Sequence, residues 1–348
     1  MSQDMATTAT PRADTAFAAF RAEIDAQLDR LVPRTGPAAL LQFPYDCNAG
    51  NHMMWVAATD YLKSRGISLA YVAHGNNCDV SALRRAIGGG PILFLGGVTV
   101  SRLWPRHAEV KRQIAAAFPD NPLVSLPATM LFVDEQDRHE AGRTFGAHRN
   151  VTMMARSPVS EAQGRLAFSP PVRVVTVPDL SLRLPPQPRH RPPLHDVIWL
   201  ARNDIEGTGF ALPDSVYSFD WPVDVRSIRR MYALLRASGP LSRLRSSALG
   251  PALDWACGPA MAGLYRWASL EALAFGNATL DLGRVLVTDR MHPHVLAALR
   301  RQHVVLLPDR FGKNRGVWEH YTRDMETVHW ADTPERALSL ARDLAARP

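Results

Sequence analysis

RVLVTDRMHPHVLAALRRQ, residues 284 to 302, changes its period in the middle. Residues 284 to 287 lead with an apolar run of the kind that forms a strand buried on both faces, while from Val295 onward the apolar residues recur at helical spacing. Between them lies TDRMHPH (288 to 294), a strand-to-helix turn that carries an arginine and two histidines. Strand, turn and helix in so short a stretch make half of a βαβ unit and imply a parallel sheet. Asp289 or Thr288 can cap the coming helix, Pro293 suits its first turn, and the free N–H groups of a helix start favour an anion. Arg290 adds a planar charge matched to phosphate or carboxylate, and His292 titrates near neutrality and can pass a proton. The plainer reading of the same residues is a capped helix start with two partly exposed histidines.

Working outward, the same unit recurs. Apolar runs at 38 to 43, 68 to 73, 91 to 97, 122 to 128, 151 to 156 and 172 to 178 are spaced as strands of a parallel sheet, with helical stretches such as 52 to 65 and 106 to 118 between them. LPPQPRHRPPL (184 to 194), with five prolines in eleven residues, can continue neither helix nor ladder and reads as a linker. After it a strand restarts at 196 to 202, a long arginine-rich helical region follows, and strands return at 303 to 309 and 327 to 332. At 348 residues the chain is long enough for two cores. The expected division is a tail and helix over 1 to 35, a first domain over 36 to 183, a linker over 184 to 195 and a second domain over 196 to 348. Residues 1 to 13 read as disordered, and 17 to 31 as an amphipathic helix. Two parallel-sheet domains place a site in the cleft between them, outside the carboxyl ends of strands.

Other strand ends then matter. PDRFGKN (308 to 314) allows a tight turn at Gly312 and puts Lys313 one βα unit beyond Arg290, where adjacent parallel strands bring their ends together. Arg156 ends a strand in MMARSPVS, against the plainer reading of a surface salt bridge. Arg202 and Asp204 lie just past the strand of IWLARNDIE, and Asp179 past that of VTVPDL. In CNAGNHMMW (47 to 55), Gly50 permits close approach and Asn51 is the expected helix cap; neither a Walker loop nor a GxGxxG fingerprint is present.

Composition narrows the classes. A net charge of +7 from 40 Lys and Arg against 33 acids suits an anionic ligand, but no basic block interleaved with aromatics marks a nucleic-acid module. Three widely spaced cysteines without a CxxC pair point to a reduced compartment and no structural zinc. The first residues contain no signal-peptide core, and the apolar run at 91 to 98 is far short of the ~20 residues of a span. A cytoplasmic protein with at most peripheral membrane contact is expected, at the inner face of the membrane if anywhere near one.

FPYDCNAGNHMMW, PILFLGG with LWPRH, SLPAT, NVTMMARSPVS, VPDL, WLARNDIE, VLVTDRMHPHVLAAL and FGK, in this order, resemble the polysaccharide pyruvyl transferase family over about residues 36 to 322. The resemblance implies an α/β fold of two Rossmann-like domains with parallel sheets in a GT-B-like arrangement. It implies transfer of pyruvate from phosphoenolpyruvate to a sugar diol, lipid-linked acceptors included, giving a pyruvate ketal in exopolysaccharide or cell-surface polysaccharide biosynthesis. No cofactor and no metal are then required, phosphoenolpyruvate being a co-substrate. His292 would carry the proton. Arg290, Met291, Arg156, Lys313 and Arg202 would bind the donor, and Asn48, Asn51, Asp179 and Asp204 would lie on the acceptor side. The sequence departs from the family at residues 98 to 102, where a glycine-rich turn is usual, at Asn51, where the family has an acid, and at Pro293, where it commonly has glycine. The alternatives are a GT-B glycosyltransferase using a nucleotide sugar, with Glu319 as a weak ribose-binding candidate, and a non-catalytic member of a polysaccharide assembly complex.

If the turn holds an anionic donor and passes a proton, His292→Ala is expected to cut turnover by roughly 10² to 10⁴-fold with donor binding largely kept. Arg290→Ala is expected to weaken donor binding first, and His294→Ala to be nearly silent.

Overall fold

The computed structural model describes residues 12 to 75, 78 to 97, 101 to 211, 213 to 221 and 229 to 347. The first sheet consists of β1 (Ala38–Leu41), β2 (Leu69–Ala73), β3 (Ile92–Phe94), β4 (Leu123–Ala128), β5 (Val151–Ala155) and β6 (Arg173–Thr176). They pair in parallel in the order β2-β1-β3-β4-β5-β6. The second sheet, also parallel, consists of β7 (His195–Leu200), β8 (Tyr217–Phe219), β9 (Gly283–Thr288), β10 (Val304–Leu306) and β11 (Val328–Trp330), in the order β11-β10-β9-β7-β8. Each sheet therefore starts in its interior, steps to one side and then crosses over to run the other way. Such a reversal opens a crevice at the carboxyl ends of the two strands that flank it, here β1 and β3, and β7 and β9.

Helices α1 (Arg12–Leu31), α2 (Ala49–Ser64), α3 (Val80–Ile87), α4 (Pro105–Ala117), α5 (Glu135–Gly146) and α6 (Pro158–Ala167) belong to the first half. Helices α7 (Arg229–Arg245), α8 (Gly250–Leu280), α9 (Met291–Leu299), α10 (Lys313–Val317) and α11 (Pro334–Ala345) belong to the second. The central strands are buried on both faces, which is why they read as continuous apolar runs. Helix α1 begins at Arg12, earlier than its amphipathic pattern indicates, and residues 1 to 11 of the expected disordered tail lie outside the described residues. From 184 to 194 the chain forms neither helix nor strand, as five prolines require.

The halves keep separate sheets but share a core. One apolar cluster contains Leu40, Val124 and Met154 of the first sheet, Ile198, Leu200 and Leu286 of the second, and the buried sides of α2, α8 and α9. Helix α8 is the main brace: Gly258 lies so close to β2 that a Cβ there would come within 2.3 Å of the Ala70 carbonyl oxygen. Gly258→Ala is therefore expected to cost about 1–3 kcal/mol in denaturant unfolding. Gly263→Ala, on the open side of the same helix with nothing within 4 Å, is expected to be neutral or to stabilise by up to about 1 kcal/mol.

Candidate active site

The reversal in the second sheet is clipped shut by the turn after β9. The Thr288 hydroxyl donates to the Leu200 carbonyl at the end of β7 (2.7 Å) and accepts from the Arg290 amide (3.0 Å). Asp289 accepts from the Arg202 amide at 2.7 Å. Asn314, just after Gly312, donates to the Asp289 and Leu307 carbonyls at 2.6 and 2.9 Å, which ties in the end of β10. The expected cap is thus absent: Arg290 itself occupies the N-cap position of α9, and the Thr288 and Asp289 side chains join strand ends instead. Gly312 has φ +70°, the left-handed conformation its tight turn requires.

The cations gathered here, Arg290 and Lys313 buried and Arg202 half-buried, are already paired. Arg290 bonds Asp220 at 2.6 Å and Asp204 at 3.4 Å. Arg202 lies 3.1 Å from Asp204 and also grips Glu206, and Glu206 accepts from Lys313 and, at 3.3 Å, from the Trp104 indole of the first half. Burial, only partly offset by Glu206, brings the Lys313 ammonium down to about 8. Asp204, expected on the acceptor side, lies among the cations expected to bind the donor: its carboxylate is shared between Arg202 and Arg290, although Glu206 lies closer to the first and Asp220 to the second. Asp220 and Glu206 were not singled out by motif; for Glu206 the i,i+4 spacing from Arg202 was the available signal.

His292 is buried and reaches across to the first half. Its Nε2 is 3.5 Å from Asp179 Oδ1, within electrostatic reach but long for a hydrogen bond. Asp179 also accepts from Arg156 (3.0 Å) and from the Ser181 hydroxyl (2.7 Å), and Arg156 in turn donates to Thr129 at 2.7 Å. Arg156 is therefore a buried group, and Asp179 lies against the imidazole instead of on a separate acceptor face. Burial would raise the Asp179 carboxyl, but His292, Arg156 and Ser181 outweigh it and hold it well below the usual carboxylate range. Burial pushes the His292 imidazole down; Asp179 opposes this, while Arg156 and Lys313 reinforce it. The first turn of α2 closes over the imidazole, since a Cβ on Gly50 would lie 2.2 Å from that of His292.

At the head of α2 it is Asn48, not Asn51, that caps the helix, accepting from the Gly50 amide at 3.1 Å, because Asn51 is already one turn inside and bonds Asp46 instead. The departure at residues 98 to 100 lies outside the described residues. Met291 is buried, and its carbonyl accepts from His294. His294 also bonds the Thr322 hydroxyl at 3.0 Å and is fully buried, its imidazole pushed by burial to about 4. His294 is thus a structural histidine between α9 and the turn at Thr322, so its removal bears on stability, a consequence its spacing on the helix did not show. Glu319, the ribose-binding candidate, pairs with Arg315 at the surface (2.7 Å). Burial raises the thiols of Cys47 and Cys78, the latter to about 11, so neither is poised as a thiolate nucleophile. Cavities of about 490 and 360 Å³ are lined by residues such as Cys78 and Glu109, and Arg30 and Arg173, away from this cluster. Within the cluster the cations are met by its own carboxylates.

Two doubly wound parallel sheets, with the candidate residues gathered where strand ends of both halves meet, define a two-domain α/β protein of the Rossmann-like, GT-B-like class. The crystal structure of a functionally uncharacterised protein from Klebsiella pneumoniae has this fold, with a TM-score of 0.54 at 13% identity over 90% of this chain and 99% of that one. No family model matches the chain. Pyruvyl transferase 1 of Schizosaccharomyces pombe is 26% identical over 319 residues, covering 87% of this chain and 74% of that protein. EpsO of Bacillus subtilis, named as a candidate pyruvyl transferase, is 22% identical over 289 residues, covering 82% of this chain and 85% of its own. These relatives support a pyruvyl transferase family for this chain. Among the described residues no helix is long and apolar enough to cross a membrane.

Asp289 supplies a test of the clip. Burial raises its carboxyl to about 6, above the ordinary 3.8, so the folded state binds this proton more tightly than the unfolded chain does. Its stabilising contribution is full below about pH 4 and is lost as the pH rises through about 6. Asp289→Asn, which keeps an acceptor for the Arg202 amide, is expected to be more stable than the parent at pH 8 by up to about 3 kcal/mol, the difference closing toward pH 4. His294→Ala is expected to cost about 1–3 kcal/mol throughout, read from thermal unfolding.

Proposed function

We propose that the chain transfers pyruvate from phosphoenolpyruvate to two hydroxyls of a saccharide, forming a cyclic ketal and releasing phosphate in the building of cell-surface or secreted polysaccharide. The observation that carries this reading is the burial of His292 against Asp179 with Arg156 and Lys313 close enough to depress its pKa. An acid shielded from water, set among cations, suits a small anionic enol that must be protonated on carbon. The names of the two relatives favour pyruvate as the group moved. The paired surface position of Glu319 favours this reading over nucleotide-sugar transfer.

In this mechanism the phosphate and carboxylate of the donor replace Glu206 and Asp204 on Lys313, Arg202 and Arg290, while Arg156 meets the other end. Negative charge beside His292 raises its pKa, so the imidazole gains the proton that it then gives to the methylene carbon. The resulting cation at the adjacent carbon takes a sugar hydroxyl, which releases its proton. Phosphate then leaves with the C–O bonding pair, and the second hydroxyl closes the ring and releases its own proton. Met291 contributes through its backbone, which fixes the start of α9. Asn48 and Asn51 border the acceptor entrance, and Asp179 keeps the imidazole oriented.

The depressed His292 and Lys313 values give the sign of a pH effect. Both groups take up protons when an anion binds, so phosphoenolpyruvate affinity is expected to rise as the pH falls from 8.5 toward 6.5, by up to about tenfold per unit for each proton taken up. Calorimetry in buffers of different ionisation enthalpy measures that uptake directly, and His292→Gln is expected to lose a large part of it. His292→Ala is expected to lower kcat by roughly 10² to 10⁴-fold, followed by phosphate release and by the acceptor's mass gain of pyruvate less water. Full activity in His292→Ala, or thermal stabilisation by nucleotide sugars but not by phosphoenolpyruvate, would overturn the proposal.

A further inference from the structure

Helices α7 and α8 form a hairpin whose inner sides lean on the first half. Arg245 of α7 donates to the Ala70 carbonyl of β2 at 2.9 Å, the same carbonyl that Gly258 of α8 approaches. Tyr232 of α7 and Tyr265 of α8 pack against Tyr45 and Phe43 beside that strand's end. Because both helices rest on one layer, their outer sides look out from the same side of the molecule.

Those outer sides differ in kind. Along α8, Ala252, Trp255, Pro259, Gly263, Trp267 and Leu270 are exposed at intervals of three and four residues, a single stripe without a charge. Trp255 is 79% exposed and Trp267 57%. Along α7, Arg229, Arg230, Arg236 and Arg243 are exposed, the helix contains no acid, and none of the four forms an ion pair with a carboxylate among the described residues. An indole stripe beside an uncompensated arginine row matches the boundary of an anionic bilayer, where aromatic rings sit at headgroup depth and cations meet phosphates.

We propose that the α7–α8 hairpin is a docking surface for an anionic membrane. Trp255 and Trp267 enter the headgroup boundary, and the α7 arginines hold lipid phosphates. The proposal stands apart from the reaction proposed above, since no residue of the hairpin's outer side belongs to the candidate site. The charge pattern favours lipid over a second copy of the chain: a two-fold pairing of this face would bring two arginine rows together, whereas a bilayer supplies the missing anions. The chain's net charge of +7 acts in the same direction. Helix α8 lies on the surface and does not span it, in keeping with its failure to reach the apolarity of a span.

Flotation of the full chain with phosphatidylcholine vesicles, with and without phosphatidylglycerol, tests this. Binding is expected with phosphatidylglycerol, at least about tenfold weaker without it, and weakened again by raising the salt from about 0.1 to 0.5 M. Indole emission is expected to shift to the blue on binding and to be quenched by brominated lipid. The pair Trp255→Ser and Trp267→Ser, and separately Arg236→Glu with Arg243→Glu, are each expected to lower binding at least about tenfold with unchanged circular dichroism, and Arg236→Lys with Arg243→Lys to keep it. No flotation with phosphatidylglycerol vesicles at low salt, or unquenched indoles in the bound protein, overturns the proposal. So does a dimer in sedimentation that the tryptophan pair turns to monomer, which would make the face a self-interface.

Discussion

The contact of Gly50 with His292 is the constraint on which the rest of the site depends. One residue opens α2 in the first half and the other opens α9 in the second, and the gap between them admits no side chain at position 50. Their closeness lets the two halves share one apolar core in place of two independent ones. It also seals the imidazole from water on one side while Asp179 stands on another, so the titration of His292 is set by both halves at once. Tertiary contact, more than the local sequence of the turn, gives this histidine its chemical character.

Around it the charges are arranged in compensation. Arg156, Arg290 and Lys313 are buried cations and Arg202 is a half-buried one, and Asp179, Asp204, Glu206 and Asp220 take up their charge. Unpaired, such groups would be costly to bury; paired, they can remain at strand ends where backbone ties hold them in place. The Thr288, Asp289 and Asn314 bonds join the ends of three strands, so the loops that carry the second half's part of the cluster are tied to the sheet.

The sheets were legible because buried parallel strands must be written as apolar runs, and ten of the eleven described strands overlap such runs. Strand β8 was not, since Tyr217–Phe219 is three residues long, lies at a sheet edge and carries no such run. Strand-end position brought Arg290, His292, Lys313, Arg202, Arg156 and Asp179 to notice, because topology alone gathers the carboxyl ends of parallel strands. What each touches was not legible. That Asp204 serves Arg290, that Asp179 faces His292, and that His294 is a buried strut all depend on how one half is set against the other. The cap at Asn48 instead of Asn51 is a shift of a single turn, below what spacing can separate.

Glu206 occupies an unusual place in this arrangement, a single carboxylate gripped by Lys313 and Arg202 and touched by Trp104 from the opposite half. It behaves as a tethered competitor, present at a local concentration no dissolved ion can match. A small free anion offers at most what the tether already provides, and so gains nothing by entering. In the reaction proposed above, a donor with two separated anionic groups would satisfy these cations and Arg290 together, and so would have a net reason to evict it. Selectivity would then be a matter of reach, enforced by an occupant that never leaves the molecule.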